Sequence, residues 1–175
     1  MTDEHRWPAD FARLREGDGC PMCASARASA GAGAGDEAVE DEFGVRVFEG
    51  RWADGFLGRY PVRPGYAYVV WKGRHVCEPT ELSAEESAGF WSEVARVAGA
   101  VDERYRPAKM NWLSLGNGVP HLHVHLVPRP DDDARAGGPV ESEAFDRSRT
   151  PVLDDATLRS EGAALRAHLS DRPAD

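Results

Sequence analysis

His121-Leu122-His123-Val124-His125-Leu126-Val127 alternates imidazole and hydrocarbon at every step. Side chains along a strand point to opposite faces in turn. The stretch therefore reads as a strand with His121, His123 and His125 on one face, and Leu122, Val124 and Leu126 packed on a core behind it. Three of the six histidines fall within the five positions 121–125. Simple template counting gives such a pattern about 0.007 times by chance, so it calls for a cause. Three imidazoles this close repel one another when charged. They must be partly neutral, hydrogen-bonded to backbone or bound to something. The bland alternative is an exposed strand whose polar histidines face water.

Working outward, Met110 to Leu115 reads as the preceding strand, Gly116-Asn117-Gly118-Val119-Pro120 as the turn between the two, and Pro128 as the end of the second. Residues 83–105 carry the clearest helix signal. Ser83 and Glu86 form an S-x-x-E capping box, Phe90, Val94, Val97, Val101 and Tyr105 recur as one stripe, and Pro107 stops it. Tyr66-Ala67-Tyr68-Val69-Val70-Trp71 is the strongest β-run, preceded by a Pro61–Gly65 turn. Val45 to Phe48 and Trp52 to Leu57 suggest a hairpin. Near the start, a short helix is expected over 8–16, then a turn-rich knuckle at Cys20-Pro21-Met22-Cys23. A flexible Ala/Gly/Ser loop is expected over 24–36. After the last strand, Asp131-Asp132-Asp133 reads as solvated loop, and a final helix over 154–169 presents Leu158, Leu165 and Leu169. The order predicts an α+β fold: a mostly antiparallel sheet of about five strands with one long helix packed on it, plus a C-terminal helix.

The 175 residues suit one domain, with an N-terminal segment 1–42, a core 43–130 and an acidic loop and helix 131–175. Lys plus Arg number 21 against 30 Asp plus Glu, a net charge of −9. That argues against gripping nucleic acid over a broad surface but leaves room for a small anion in a local pocket. No run approaches the ~20 apolar residues of a membrane span. The polar Met1–Asp10 stretch lacks a secretory signal, and three cysteines are too few for a disulfide framework. A reducing, cytoplasmic setting is expected.

The stretch from Leu115 to Arg129, with its H-x-H-x-H centre, resembles the histidine-triad (HIT) nucleotide hydrolases, in their bacterial zinc-containing branch. Pro64-Gly65-Tyr66 through Val76 resembles that family's second block. The resemblance implies a HIT-like fold and a homodimer. It also implies hydrolysis or nucleotidyl transfer at the α-phosphorus of dinucleoside polyphosphates, nucleoside phosphoramidates or related adenylates. His123 would be the nucleophile and His125 the residue holding a phosphate oxygen or the leaving group. The chemistry suits the residue, since a neutral imidazole is a good nucleophile near pH 7. Its other nitrogen must donate to a fixed acceptor, which the family supplies from a backbone carbonyl. Asn117 and Asn111 fall where a phosphate or ribose contact is implied. A turn role for Asn117 is equally open, whereas Asn111 reads first as structural. One position departs from the pattern: Tyr66 stands where many members carry a further histidine, and a phenol can still donate a hydrogen bond.

Cys20-x-x-Cys23 alone is a weak signal, readable as two small buried hydrophobes or a redox pair. Zinc-containing relatives combine such a pair with a histidine ahead of the long helix and the first histidine of the triad. Carried over, the resemblance implies a structural zinc on Cys20, Cys23, His75 and His121. Cys77 is expected as a buried hydrophobe, and His5 and His168 carry no role. Phe48, Phe56 and Leu57 are candidates for an apolar base slot. Two rivals stay open: a nucleotide-binding regulator with little turnover, and a metal-dependent enzyme that uses all three triad histidines as ligands.

Overall fold

The computed structural model describes residues 7–29, 43–135 and 137–170. His5 and residues 30–36 of the expected loop lie outside them. Five strands form one antiparallel sheet: β1 (Gly44–Glu49), β2 (Ala53–Gly58), β3 (Ala67–Trp71), β4 (Lys109–Leu113) and β5 (His123–Arg129), in the order β1-β2-β3-β5-β4. The fold is α+β, as the order of elements predicts.

One face of the sheet is covered by the helix that links β3 to β4, α3 (Ala84–Tyr105), and by the C-terminal helix α4 (Asp155–Ser170). Ser83 caps α3 as its sequence predicts. Its side chain accepts from the Glu86 N–H at 3.2 Å while its own N–H donates to Glu86 Oε2 at 2.7 Å. Phe90, Val94, Val97 and Val101 are buried against Val69, Trp71, Val124 and Leu126, and Leu158, Leu165 and Leu169 of α4 join the same core. Each such side chain contributes about 1.5–3 kcal/mol through burial, so this layer anchors the sheet from behind and leaves its other face for the site. Among the described residues, no helix is long and apolar enough to cross a membrane.

Four expectations need correction. First, the strand begins at His123, not His121, and runs through Pro128 to Arg129. Its pairing with β3 ends at Leu126, so Pro128 has a neighbouring strand on one side only, where a missing N–H is tolerated. Second, the Cys20–Cys23 knuckle opens a helix, α2 (Pro21–Ser29), which also takes in the first residues of the expected loop. Pro21 suits a first helical position and alanine is the best helix former. A shorter helix, α1 (Phe11–Arg15), precedes it. Third, Asp133 is not solvated: its carboxylate is 1 % exposed and pairs with Arg63 and Arg129, which hold it well below the usual carboxylate range. Fourth, Cys77 is only half-buried and is hydrogen-bonded rather than packed as a hydrophobe.

Candidate functional site

Residue pairing across the sheet sets out the site in rungs. Asp54, Val70 and His123 stand opposite one another on β2, β3 and β5. Phe56, Tyr68, His125 and Leu113 form the next rung, which reaches β4. These side chains face away from α3 and floor a cavity of about 950 Å³. Phe56 and Tyr68 stack with centroids 5.1 Å apart, only 8° from parallel. Of the expected base-slot residues only Phe56 lies here. Phe48 and Leu57 are buried in the core behind the sheet, because β-alternation sends Leu57 to the face opposite Phe56.

His123 is buried, and its Nδ1 lies 2.6 Å from the carbonyl oxygen of His121. A carbonyl only accepts, so Nδ1 carries the proton and Nε2 presents its lone pair. That lone pair faces His125 Nε2 at 3.1 Å, and His125 Nδ1 lies 2.7 Å from the Tyr66 hydroxyl. Burial pushes the Tyr66 phenol up, so the hydroxyl stays protonated and donates to His125 Nδ1. His125 must then carry its proton on Nε2, aimed at the His123 lone pair. One set of tautomers satisfies all three bonds. Burial also pushes the histidines down: His125 to about 3, with the neighbouring His123 as a second cause, and His123 in the same direction. Both imidazoles are neutral at pH 7.

Two glycines make room for tyrosine rings, Gly65 for Tyr105 and Gly58 for Tyr66. Gly65 turns the chain into β3 with φ +80°, a backbone that favours glycine, and an added Cβ would run into the Tyr105 ring. At Gly58 an added Cβ would lie 2.5 Å from the Tyr66 ring itself.

His121 turns elsewhere. Its Nδ1 lies 3.5 Å from the sulfurs of both Cys20 and Cys23, and His75 Nδ1 lies 3.4 Å from Cys23 Sγ. The four ligand atoms all fall within 4.8 Å of one another. In a tetrahedron with metal–sulfur bonds of about 2.3 Å and metal–nitrogen bonds of about 2.05 Å, the S···N edge is about 3.6 Å, so the spacing fits a tetrahedral ion. The outer nitrogens are also placed for it. His121 Nε2 lies 3.0 Å from the Trp71 carbonyl, and His75 Nε2 lies 3.4 Å from Cys77 Sγ, the orienting contacts that metal-bound imidazoles usually make. Cys77 in turn donates to the Pro120 carbonyl at 2.9 Å. The three triad histidines thus do not converge on one point, which removes the reading in which all three hold a metal.

Asn117 lies on the cavity wall, between Gly116 and Gly118. Asn111 does not. Its Oδ1 accepts from the buried Arg129 at 2.8 Å, one rung beyond Leu113, which is a structural use. Among the cavity residues that the sequence does not single out are Tyr68, Phe145 and Arg147. Tyr68 shares the face of His125 and was findable from the alternation Tyr66-x-Tyr68-x-Val70. Phe145 sits 5.1 Å from the His125 ring, and Arg147 lies over Phe43 at 4.1 Å. Both come from the segment after the sheet, and no periodic signal marks them.

Residues 47–132 match the HIT domain. The AP-4-A phosphorylase of Mycobacterium tuberculosis is 34% identical over 102 residues, 55% of this chain and 52% of that protein. An adenosine 5′-monophosphoramidase of Schizosaccharomyces pombe is 30% identical over 94 residues, 53% of this chain and 70% of that one. The chain thus matches about half the length of the mycobacterial relative. In structure, a Zn-bound histidine triad family protein from Mycobacterium smegmatis superposes with a TM-score of 0.58, covering 87% of this chain and 94% of that one at 24% identity. With these residues, this fold and these relatives, the chain belongs to the HIT family. Its relatives are named for hydrolysis or phosphorolysis of dinucleotides and phosphoramidates.

Proposed function

We propose that the protein is a nucleotide hydrolase or nucleotidyltransferase working through a nucleotidyl intermediate on His123. Its substrates in this reading are dinucleoside polyphosphates, nucleoside phosphoramidates or related nucleotidylates. The observation that carries this is the run of three hydrogen bonds, Tyr66 to His125, His125 to His123 and His123 to the His121 carbonyl, which holds the His123 proton on Nδ1 and makes its Nε2 lone pair available once His125 turns to the substrate. A nucleotide enters with its α-phosphate between the two rings. His123 Nε2 forms a bond to phosphorus, the bond to the leaving group breaks, and the positive charge on the imidazole is stabilised through Nδ1–H by the carbonyl. His125 Nε2–H turns from His123 to a phosphate oxygen. A polyphosphate leaves as an anion and needs no proton, which suits a neutral His125; an amine leaving group takes the Nε2 proton as the Tyr66 hydroxyl proton passes to Nδ1, and the proton of the attacking water returns along the same path. Water then attacks phosphorus, the N–P bond breaks, and a nucleoside monophosphate departs. Asn117 would steady a phosphate oxygen from the cavity wall.

The metal in this reading is zinc on Cys20, Cys23, His75 and His121. Bound there, it supplies a structural tie between the start of α2 and the strand that carries His123, and no chemistry. A reducing cytoplasm would keep the thiols available. A homodimer is the assembly we expect, with the outer strand β4 and its exposed Trp112 as the surface in favour.

The regulator reading has Tyr66 as its ground. The same residue argues against it, because the phenol supplies the donor that His125 needs. The test is intact-mass detection of a nucleotidyl adduct in acid- or base-quenched mixtures with diadenosine or diguanosine tetraphosphate. The adduct is expected with wild type and absent in His123→Ala. Turnover of His123→Ala within tenfold of wild type, or symmetric cleavage to two diphosphates, overturns the mechanism.

A further inference from the structure

One buried carboxylate on the cavity wall has no part in the chemistry above. Asp54 is 2 % exposed and lines the cavity beside Phe56, Tyr68 and Lys72. Lys72 Nζ lies 3.2 Å from Oδ1 as an ion pair, and among the described residues Oδ1 has no other partner. Burial pushes this carboxyl up, opposed by Lys72 and Arg46; it is an acceptor short of donors. Buried acceptors are normally satisfied, and an unsatisfied one in a ligand cavity is most simply completed by the ligand.

The pairing register says which part of a nucleotide reaches it. Asp54 and His123 share a rung with Val70 between them, so two strand spacings, about 9.6 Å, separate them at the backbone. A nucleotide with its α-phosphate at His123 and its base stacked on the Phe56–Tyr68 pair spans that gap with the far edge of the base. Its ribose hydroxyls lie nearer the phosphate and are the competing donors, which a deoxynucleotide tells apart.

We propose that Asp54 reads the base edge and makes the site selective for guanine nucleotides. The inference rests on the nucleotidyl-transfer reading for the placement of the phosphate. Guanine presents N1–H and N2–H side by side, one for each oxygen of the carboxylate, with its O6 acceptor next in line for the Lys72 ammonium. Adenine presents a single N–H beside the N1 lone pair, so one carboxylate oxygen faces a lone pair and stays unpaired. Sites that hydrogen-bond a substrate N–H discriminate against analogues lacking it for this reason.

Calorimetric titration of the full chain with GMP, IMP, AMP and 2′-deoxyguanosine monophosphate tests it. GMP is expected to bind about 10–100-fold tighter than AMP, the range for hydrogen bonds to a charged group. IMP, which lacks the N2 amine, is expected between them, and the deoxy compound is expected to match GMP. AMP binding as tightly as GMP, IMP matching GMP, or a loss of affinity on removing the 2′-hydroxyl each overturns the proposal. Asp54→Asn should bring GMP down to the AMP level while AMP changes less than threefold. Should that variant fail to fold, the wild-type series decides alone. Guanosine and adenosine phosphoramidates separate the two readings. A GMP preference with no His123 adduct sinks the mechanism only, whereas adduct formation without base preference sinks only the role of Asp54.

Discussion

His121 and His123 are two residues apart, yet they belong to different sites. The His121 ring faces two sulfurs and its outer nitrogen meets the Trp71 carbonyl, while His123 leans on the backbone carbonyl of His121 and opens its other nitrogen to the cavity. The difference lies in the backbone. At His121 the chain is still arriving from the 116–120 turn, and strand pairing starts only at His123. The contrast teaches that one short stretch can supply a candidate metal ligand with its entrance and a candidate reacting centre with its ordered part. The first then holds the carbonyl on which the second depends.

Mutating each end should separate the two roles. His123→Ala is expected to lower turnover by about 10⁴-fold or more, as loss of a nucleophile does, while the melting temperature stays close to wild type. Leu122, Val124 and Leu126, which pack the core, are untouched. Steady-state kinetics and a thermal melt read both. At the other end, Cys23→Ser should release the metal in elemental analysis. The melting temperature should fall by about 5–15 °C, the shift for a loss of a few kcal/mol in a domain of this size, with turnover per folded molecule within tenfold of wild type. A Cys23→Ser protein that melts normally yet is inactive would break the division.

Acid should also tell the ends apart. His125 is depressed to about 3 in the fold against an ordinary 6.5, so the unfolded chain binds the extra proton first. The stability this group contributes is complete above about pH 6.5 and is lost as pH falls from there toward 3. Denaturant titrations at pH 7 and pH 4.5 should show that loss reduced in His125→Gln. The pH–rate profile should show no inflection near 6.5.

Smaller effects sharpen the picture. Tyr66→Phe removes the donor that sets the His125 tautomer and should cost about 10–100-fold in kcat/KM, more for a phosphoramidate than for a polyphosphate. Tyr66→His should restore most of it, and an unchanged Tyr66→Phe enzyme would remove the phenol from the hydrogen-bond run. Smallest of all, Asn111→Ala should leave turnover within threefold and lower stability by about 1 kcal/mol, since its amide serves Arg129. Asn117→Ala should do the reverse.

The amino-acid sequence by itself determined what depends on spacing along the chain. Alternation in 121–127 marks the strand and its apolar back, S-x-x-E with its stripe marks α3, and the H-x-H-x-H stretch carries the family resemblance, which implies Cys20, Cys23, His75 and His121 as one ligand set. The same resemblance implies His123 as the nucleophile. The tertiary structure decided which nitrogen faces what. It put Tyr66 on His125, sent Asn111 to Arg129, buried Asp133 between two arginines, brought Phe145 and Arg147 back over the cavity and left Asp54 short of donors. The physical reason is range. Periodicity and capping are set by neighbours three or four residues away, whereas a buried polar group takes its partner from whatever strand or turn packs against it. For Tyr66 and His125 that partner lies 59 residues along the chain, and for Cys20 and His121 it lies 101.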